Sequence, residues 1–255
     1  MVISNCVQLQ YVVWLPLSSS KIKKRKPFAL SATAKTEQIR VCTNRTCRKQ
    51  GSMQTLEIMM ALSPPDLPVN SCGCLGRCGA GPNVALLPQG IIVGHCGTAA
   101  AAARIMARHN DDEVDDATIR NSLDAFALRK RARVEFDQGN FSQADLLLSQ
   151  AIHLKPFGGL HIIYKSRSQV RLLMENYSEA LQDAQEALNL APQYTEAYMC
   201  EGDAFMAMKQ YDGAEKSYSM CLQIDPTIRR SKAFKVRVAQ VQEKLIAANM
   251  PYNQQ

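Results

Sequence analysis

No run of this 255-residue sequence is apolar enough to span a bilayer. The longest uninterrupted one near the start, YVVWLPL, falls far short of the roughly 20 residues a spanning helix needs. A glycine-rich phosphate loop, a nucleophile set beside a base and an element for reading nucleic acid are all missing, so no enzyme is expected. Acid is absent from residues 1–36, which hold Lys21, Lys23, Lys24, Arg25, Lys26 and Lys35. Setting these six aside leaves 24 bases against 23 acids. The formal charge of +7 therefore belongs to the leader, and the rest of the chain has no global field to hold a polyanion.

The leader is basic, acid-free and serine-rich, with Ser18, Ser19, Ser20 and Ser31. Its charges follow the apolar run, whereas a secretory signal places them before it. It reads as a disordered organelle transit peptide. Scarce arginine and clustered serine favour the chloroplast stroma over the mitochondrion. The first acid is Glu37, where ordered patterning begins.

Residues 37–109 read as a small α/β unit in the order β-α-β-β-β-α. QIRV is a strand that leads into Cys42. Ser52 is placed to cap a helix with Leu56, Met59 and Met60 on one face, and the prolines of SPP at 63–65 end it. LPVN, NVALL and IIVG follow as strands, the last two joined by the turn PQG. Thr98 caps an alanine-rich helix over 99–108. NDDEVDDA at 110–117 packs five acids into eight residues and has a linker composition.

From residue 118 the pattern is helical and repeats. Pro156, Pro192 and Pro226 lie 36 and 34 residues apart, and the same spacings relate four more sets. These are the aromatic Phe141, Tyr177 and Tyr211, the alanines Ala144, Ala180 and Ala214, the small Ala132, Ser168 and Gly202, and Ala151, Ala187 and Cys221. Small residues belong where two helices approach closely, and the aromatic plugs the turn between them. Over about 125–226 the chain resembles the tetratricopeptide repeat. The two extra residues fall in FGGL at 157–160. Phe234, Val238, Val241 and Leu245 form one stripe of a closing cap helix, so 118–250 reads as a three-repeat all-α solenoid.

Five of the nine cysteines crowd into residues 42–78. In a reducing compartment such density favours metal or redox chemistry over structural disulfides. Cys42-x4-Cys47 with Cys74-x3-Cys78 is not the pair of CxxC hooks of a zinc ribbon. Asymmetric loops with Gly73, Gly76, Gly79 and Gly81 suit an iron–sulfur cluster, where backbone must come close to inorganic sulfide. A thiol switch through Cys42 and Cys47, or Cys72 and Cys74, and inert thiols stay as alternatives. VCTNRTC with GCLGRCGAGPNVALLPQG resembles the thioredoxin-like [2Fe-2S] ferredoxins over about 40–108. That resemblance implies a [2Fe-2S] cofactor held by Cys42, Cys47, Cys74 and Cys78. Cys72 is an extra thiol with no role in the family pattern. Cys221 occupies a packing position of the repeat, and Cys96 lies outside the ligand set.

Arg45, Arg48, Lys49 and Arg77 lie in or beside the ligand loops. They would favour the reduced cluster and offer docking to an acidic electron-transfer protein, against the alternative of a solvated face. In the repeats, the resemblance implies a groove for an extended peptide. One subfamily clamps acidic chaperone tails with a lysine, an asparagine, an asparagine, a lysine and an arginine. Those positions align to Arg129, Arg133, Ser166, Glu196 and Cys200, and only the first keeps its chemistry. Arg129, Arg133 and Lys165 make one end of the groove basic, while Glu196 and Asp203 make the other acidic. The expected protein is thus an adaptor whose binding depends on redox state or iron–sulfur content, acting on photosynthetic complexes. Its alternatives are an electron-transfer protein docked by its repeats and a cluster-free scaffold.

Overall fold

A computed structural model describes residues 36–108 and 114–249. The leader expected over 1–36 lies outside the described residues apart from Thr36. Alternating burial drives the first unit. Strand β1 (Gln38–Cys42) turns Ile39 and Val41 inward and Arg40 outward. It pairs in parallel with β2 (Val69–Cys72) and antiparallel with β3 (Val84–Leu87). β4 (Ile91–Val93) adds outside β3, giving the order β2-β1-β3-β4. Gly90, at φ 68°, makes the expected β3–β4 turn.

Two helical features differ from the sequence expectation. A short helix α1 (Arg45–Lys49) stands inside the first cysteine loop, because the Asn44 side chain accepts a hydrogen bond from the Arg45 N–H and starts it. Five residues are too few for apolar periodicity to reveal. Helix α2 (Ser52–Ala61) is capped by Gly51 at φ 94°, not by Ser52, which is buried in the first turn. Helix α3 (Ala99–Ala107) begins as expected, with Thr98 accepting from the Ala101 N–H.

The apolar cluster of this unit does not stop at residue 109. Ile39, Val41, Val84, Ile58, Met59, Leu62 and Met106 pack together with Ile119, Leu123, Phe126 and Phe157 from the helical region. The stretch expected as a linker over 110–117 ends inside helix α4 (Asp116–Asp137). Asp115 caps that helix through the Thr118 N–H, and Asp116 meets Arg104 at 3.3 Å.

Three helix pairs follow: α4 with α5 (Phe141–His153), α6 (Leu160–Leu173) with α7 (Tyr177–Leu190), and α8 (Thr195–Ala207) with α9 (Tyr211–Ile224). Within each pair the turn has a residue at positive φ in one repeat position: Gly139, Glu175 and Lys209. Each turn closes with the same long backbone bond, from Asn140 to Glu135, Asn176 to Arg171 and Gln210 to Phe205. The expected close approaches are present. A Cβ on Gly202 would lie 2.4 Å from the Tyr218 ring, and Ser168 donates to the Ala180 carbonyl at 2.7 Å. The final helix α10 (Lys232–Asn249) lays Phe234, Val238, Val241 and Leu245 against α9, as a cap helix must.

The two-residue insertion has a physical purpose. A Cβ on Gly158 would lie 1.9 Å from the Leu62 carbonyl oxygen, and one on Gly159 would lie 1.9 Å from that of Ala61. The loop between the first and second repeats thus seats bare backbone on the C-terminal end of α2. Gly158→Ala is expected to cost about 2 kcal/mol by forcing these backbones apart. Glu175→Gly, which relieves a left-handed side-chain clash, should add about 1 kcal/mol. Urea midpoints of the two variants should move in opposite directions. An unchanged midpoint for Gly158→Ala would show that α2 does not seat on this loop.

Candidate functional site

Two sites emerge, one of thiols and one of cations. Cys42 closes β1, and Cys47 is held inward by α1; both are buried. Cys74 and Cys78 sit across the Gly76 turn, exposed, with their Sγ atoms 3.5 Å apart. Burial opposes a Cys42 thiolate. Hydrogen bonds from the backbone of Asn44 and Leu75 and from the Cys47 thiol outweigh it and hold its pKa below the ordinary value. Cys47 moves up, through burial and then through Cys42 beside it. Cys78 is likewise raised by Cys74. The thiols are thus arranged as two pairs, Cys42 with Cys47 and Cys74 with Cys78. Among the described residues no three of His, Cys, Asp and Glu gather closely enough to hold a single metal ion.

Cys72 stands beside Cys42 in the parallel register of β1 and β2, half-buried, and feels the Cys42, Cys47 and Cys74 sulfurs. Asn83 was not singled out in the sequence. It is buried, donates to the Arg77 carbonyl at 2.7 Å and to Cys47 Sγ at 3.6 Å, and leaves its Oδ1 without a partner among the described residues. Its only signal is its place after Gly81-Pro82. A Cβ on Gly81 would lie 2.9 Å from Cys47 Sγ, so glycine there lets the backbone approach the sulfur. Cys96, Cys200 and Cys221 are buried elsewhere, and burial pushes their thiols up to about 11, 12 and 12. Arg45, Arg48, Lys49 and Arg77 are exposed around the loops, and Arg77 donates to the Ile92 carbonyl.

In the repeats, Arg129, Arg133 and Lys165 line one cavity of about 370 Å³, with Lys130, Ser166 and Gln169 beside them and Leu148 and Val170 in its wall. Arg133 is engaged by Asp137, and Lys130 by Glu57 at 2.9 Å. Glu57 belongs to α2, so the cysteine-bearing unit forms part of the cavity wall. No carboxylate forms an ion pair with Arg129 or Lys165 among the described residues. Burial works against the Arg129 charge, offset in part by the Glu57 carboxylate.

The acidic end differs from expectation. Glu196 is exposed in the first turn of α8. Asp203 is bound by the Arg237 guanidinium at 2.7 and 2.8 Å and by the Tyr218 hydroxyl at 2.8 Å. Arg237 comes from the cap helix, whose partner no periodicity in α8 could reveal. A second structural network ties α5, α6 and α7: buried Asp183 takes Arg167 at 2.7 Å and Arg171 at 3.0 Å, and Arg171 also reaches Asp145.

His161, at the start of α6, packs edge-on against Tyr194 beside a second cavity of about 450 Å³ walled by Pro65 and Pro192. Burial, then the Arg129 charge, lowers its pKa from 6.5 to about 4. The unfolded chain takes a proton that the folded chain refuses. Stability is therefore complete above pH 6.5 and falls as the pH drops towards 4. Between pH 7 and pH 5 this amounts to about 2 kcal/mol. His161→Gln should lack that share of the acid sensitivity in urea titrations at the two values, and identical pH slopes would refute the assignment.

No family model matches the chain. Protein STIP1 homolog of Dictyostelium discoideum is 32% identical over 107 residues, 42% of this chain and 19% of its own length. Human tetratricopeptide repeat protein 12 is 29% identical over 124 residues, 49% of this chain and 17% of its length. The wheat Hsp70-Hsp90 organizing protein is 30% identical over 105 residues, 41% of this chain and 18% of its length. The chain thus spans under a fifth of these relatives. Among solved structures, the Sgt2 TPR domain of Aspergillus fumigatus has 22% identity and a TM-score of 0.47, covering 51% of this chain and 87% of its own. The first TPR of Spaghetti (RPAP3), bound to an HSP90 peptide, has 21% identity and a TM-score of 0.45, covering 49% and 95%. The helical part of this chain is thus similar to the matched stretches of these tetratricopeptide-repeat and Hsp70-Hsp90 organizing proteins.

Proposed function

We propose that this chain is an adaptor whose repeat groove takes an extended peptide, acidic where it meets α4 and α6 and basic where it meets α8. The observation that carries this reading is the cavity on which Arg129 and Lys165 converge without an ion pair of their own among the described residues, while Arg133 and Lys130 are held by Asp137 and Glu57. A carboxylate there would restore to the half-buried Arg129 the charge partner that burial denies it. With Asp203 engaged by Arg237, Glu196 is the acid left to receive a basic residue of the ligand. The HSP90 peptide SRMEEVD named for one structural relative is the natural first probe. Cys200 is buried and Glu196 stands where the chaperone clamp has a cation, so SRMEEVD, with its arginine upstream of the acidic end, should bind more tightly than the same peptide with that arginine replaced by alanine. Reversing Arg129 and Lys165 to glutamate should weaken such a peptide at least tenfold in fluorescence anisotropy. Unchanged affinity would remove this groove as the site.

The second part of the reading concerns the N-terminal unit. We infer that Cys42, Cys47, Cys74 and Cys78 hold a [2Fe-2S] cluster. Two thiolates on one tetrahedral ion, with metal–sulfur bonds of about 2.3 Å, stand roughly 3.7 Å apart. The 3.5 Å contact of Cys74 with Cys78 has that spacing. Two pairs of neighbouring thiols, Cys42 with Cys47 and Cys74 with Cys78, suit two irons with two thiolates each. Backbone N–H groups aimed at Cys42 and Cys74, and the side-chain-free approach of Gly81 to Cys47, also fit thiolate ligands. When bound, the cluster would supply reversible one-electron chemistry. The protein's own part is to exclude water from Cys42 and Cys47 and to surround the site with Arg45, Arg48, Lys49 and Arg77, which favour the reduced form and attract an acidic partner. The acid-free leader directs this reading to the plastid stroma, with photosynthetic complexes as the field of action. Residues 37–255, reconstituted without oxygen, should contain two irons per chain, absorb visible light that bleaches on reduction, and lose both in Cys42→Ser. A colourless, iron-free product would leave the repeats to carry the function alone.

A further inference from the structure

The two thiol pairs differ in what can reach them. Cys42 and Cys47 are each 1% exposed, behind α1 and the Asn83 side chain. Cys74 and Cys78 are open to solvent with their sulfurs already in contact at 3.5 Å. Three residues separate them, and the middle part of that loop is Gly76 at φ 79° with open space around it. Its N–H points at Cys74 Sγ from 3.4 Å. A disulfide needs its sulfurs about 2.05 Å apart, so the pair must close by roughly 1.5 Å. Side-chain rotation in an exposed, glycine-flanked loop can supply that. Burial shields the Cys42 and Cys47 pair from a bulky oxidant, and the Cys72 and Cys74 pairing weighed from the sequence has no comparable contact.

We propose that, in the chain without a cluster, Cys74 and Cys78 form an intramolecular disulfide under an oxidising glutathione pool. The step is a thiol–disulfide exchange. The Cys74 sulfur attacks one sulfur of glutathione disulfide, breaks its S–S bond and releases one glutathione. The Cys78 sulfur then attacks the Cys74 side of the mixed disulfide, and the second glutathione leaves. Two protein thiols lose two electrons in total, and one glutathione disulfide becomes two glutathiones, which carry away the two protons. The product withdraws two of the four candidate ligands at once. A reducing pool would therefore be a condition for loading the N-terminal unit, and an oxidising one would hold it empty.

The test uses the full chain, stripped of metal with a chelator under reduction, then exposed to glutathione and glutathione disulfide mixtures. Remaining thiols are alkylated in the folded state and the chain is digested with trypsin. Cleavage after Arg77 separates Cys74 from Cys78, so a disulfide leaves residues 50–77 linked to 78–104 until a reductant is added. The linked species is expected in wild type and in Cys72→Ser, and absent in Cys74→Ser and Cys78→Ser. Cys42 and Cys47 should take the alkylating label only after unfolding. Stable glutathione adducts on Cys74 and Cys78 with no linked peptide would overturn the proposal, as would a link that disappears in Cys72→Ser. The result is independent of iron content: a link in a chain that never binds iron leaves the disulfide standing and removes only the cluster.

Discussion

Where the carbonyl oxygens of Ala61 and Leu62 meet Gly158 and Gly159, the structure has no room for a side chain. This contact fixes helix α2, and α2 fixes much else. Its N-terminal end follows directly from the loop that carries Cys47. Its inner face puts Ile58 and Met59 under the sheet, and its outer face sends Glu57 to Lys130 at the groove. Backbone against backbone tolerates no substitution at the contact and offers no rotamer by which to adjust. The apolar cluster that continues from the sheet into α4 and Phe157 then makes the cysteine-bearing unit and the first repeat a single packed body.

The charges of the repeats sort into two kinds. Asp183, with Arg167 and Arg171, and Asp203, with Arg237, are satisfied by bidentate or shared contacts and hold helices to one another. Removing one partner from such a pair strands the other in a poorly solvated place. Arg129 and Lys165 belong to the other kind, turned towards a cavity whose lining acid, Glu57, is paired with Lys130. That contrast is what the proposed direction of the groove rests on, because cations without an ion pair of their own are the ones open to a ligand.

The thiols are sorted in the same way, by surroundings and not by residue type. Cys200 and Cys221 are packing atoms in the repeats, Cys96 is a buried thiol in the apolar cluster of the N-terminal unit, and Cys42 and Cys47 are buried but have N–H donors or a neighbouring sulfur beside them. Cys74 and Cys78 alone are exposed as a contacting pair among the described residues. One cluster of five cysteines in the sequence thereby becomes two chemically different pairs and one half-buried neighbour, Cys72.

Much of this was legible in the residues. The 36- and 34-residue spacings of proline, aromatic and small residues determined the repeats, because each turn and each close helix approach makes the same demand in every repeat. Alternation in QIRV and the PQG turn likewise determined the strands. The short α1 escaped, since a five-residue helix rests on one Asn44 bond and not on periodicity. The capture of Asp203 by Arg237, the wall that Glu57 gives the groove and the place of Asn83 behind Cys47 also escaped. Each joins residues far apart in the chain, and no local pattern records which of them will meet. Sequence by itself determined the repeats, the strands and the longer helices, and it marked which side chains are candidates for chemistry. Only the tertiary structure decided which of those side chains neutralise one another and which are left facing a cavity or solvent, because that depends on distances set by packing across the whole body.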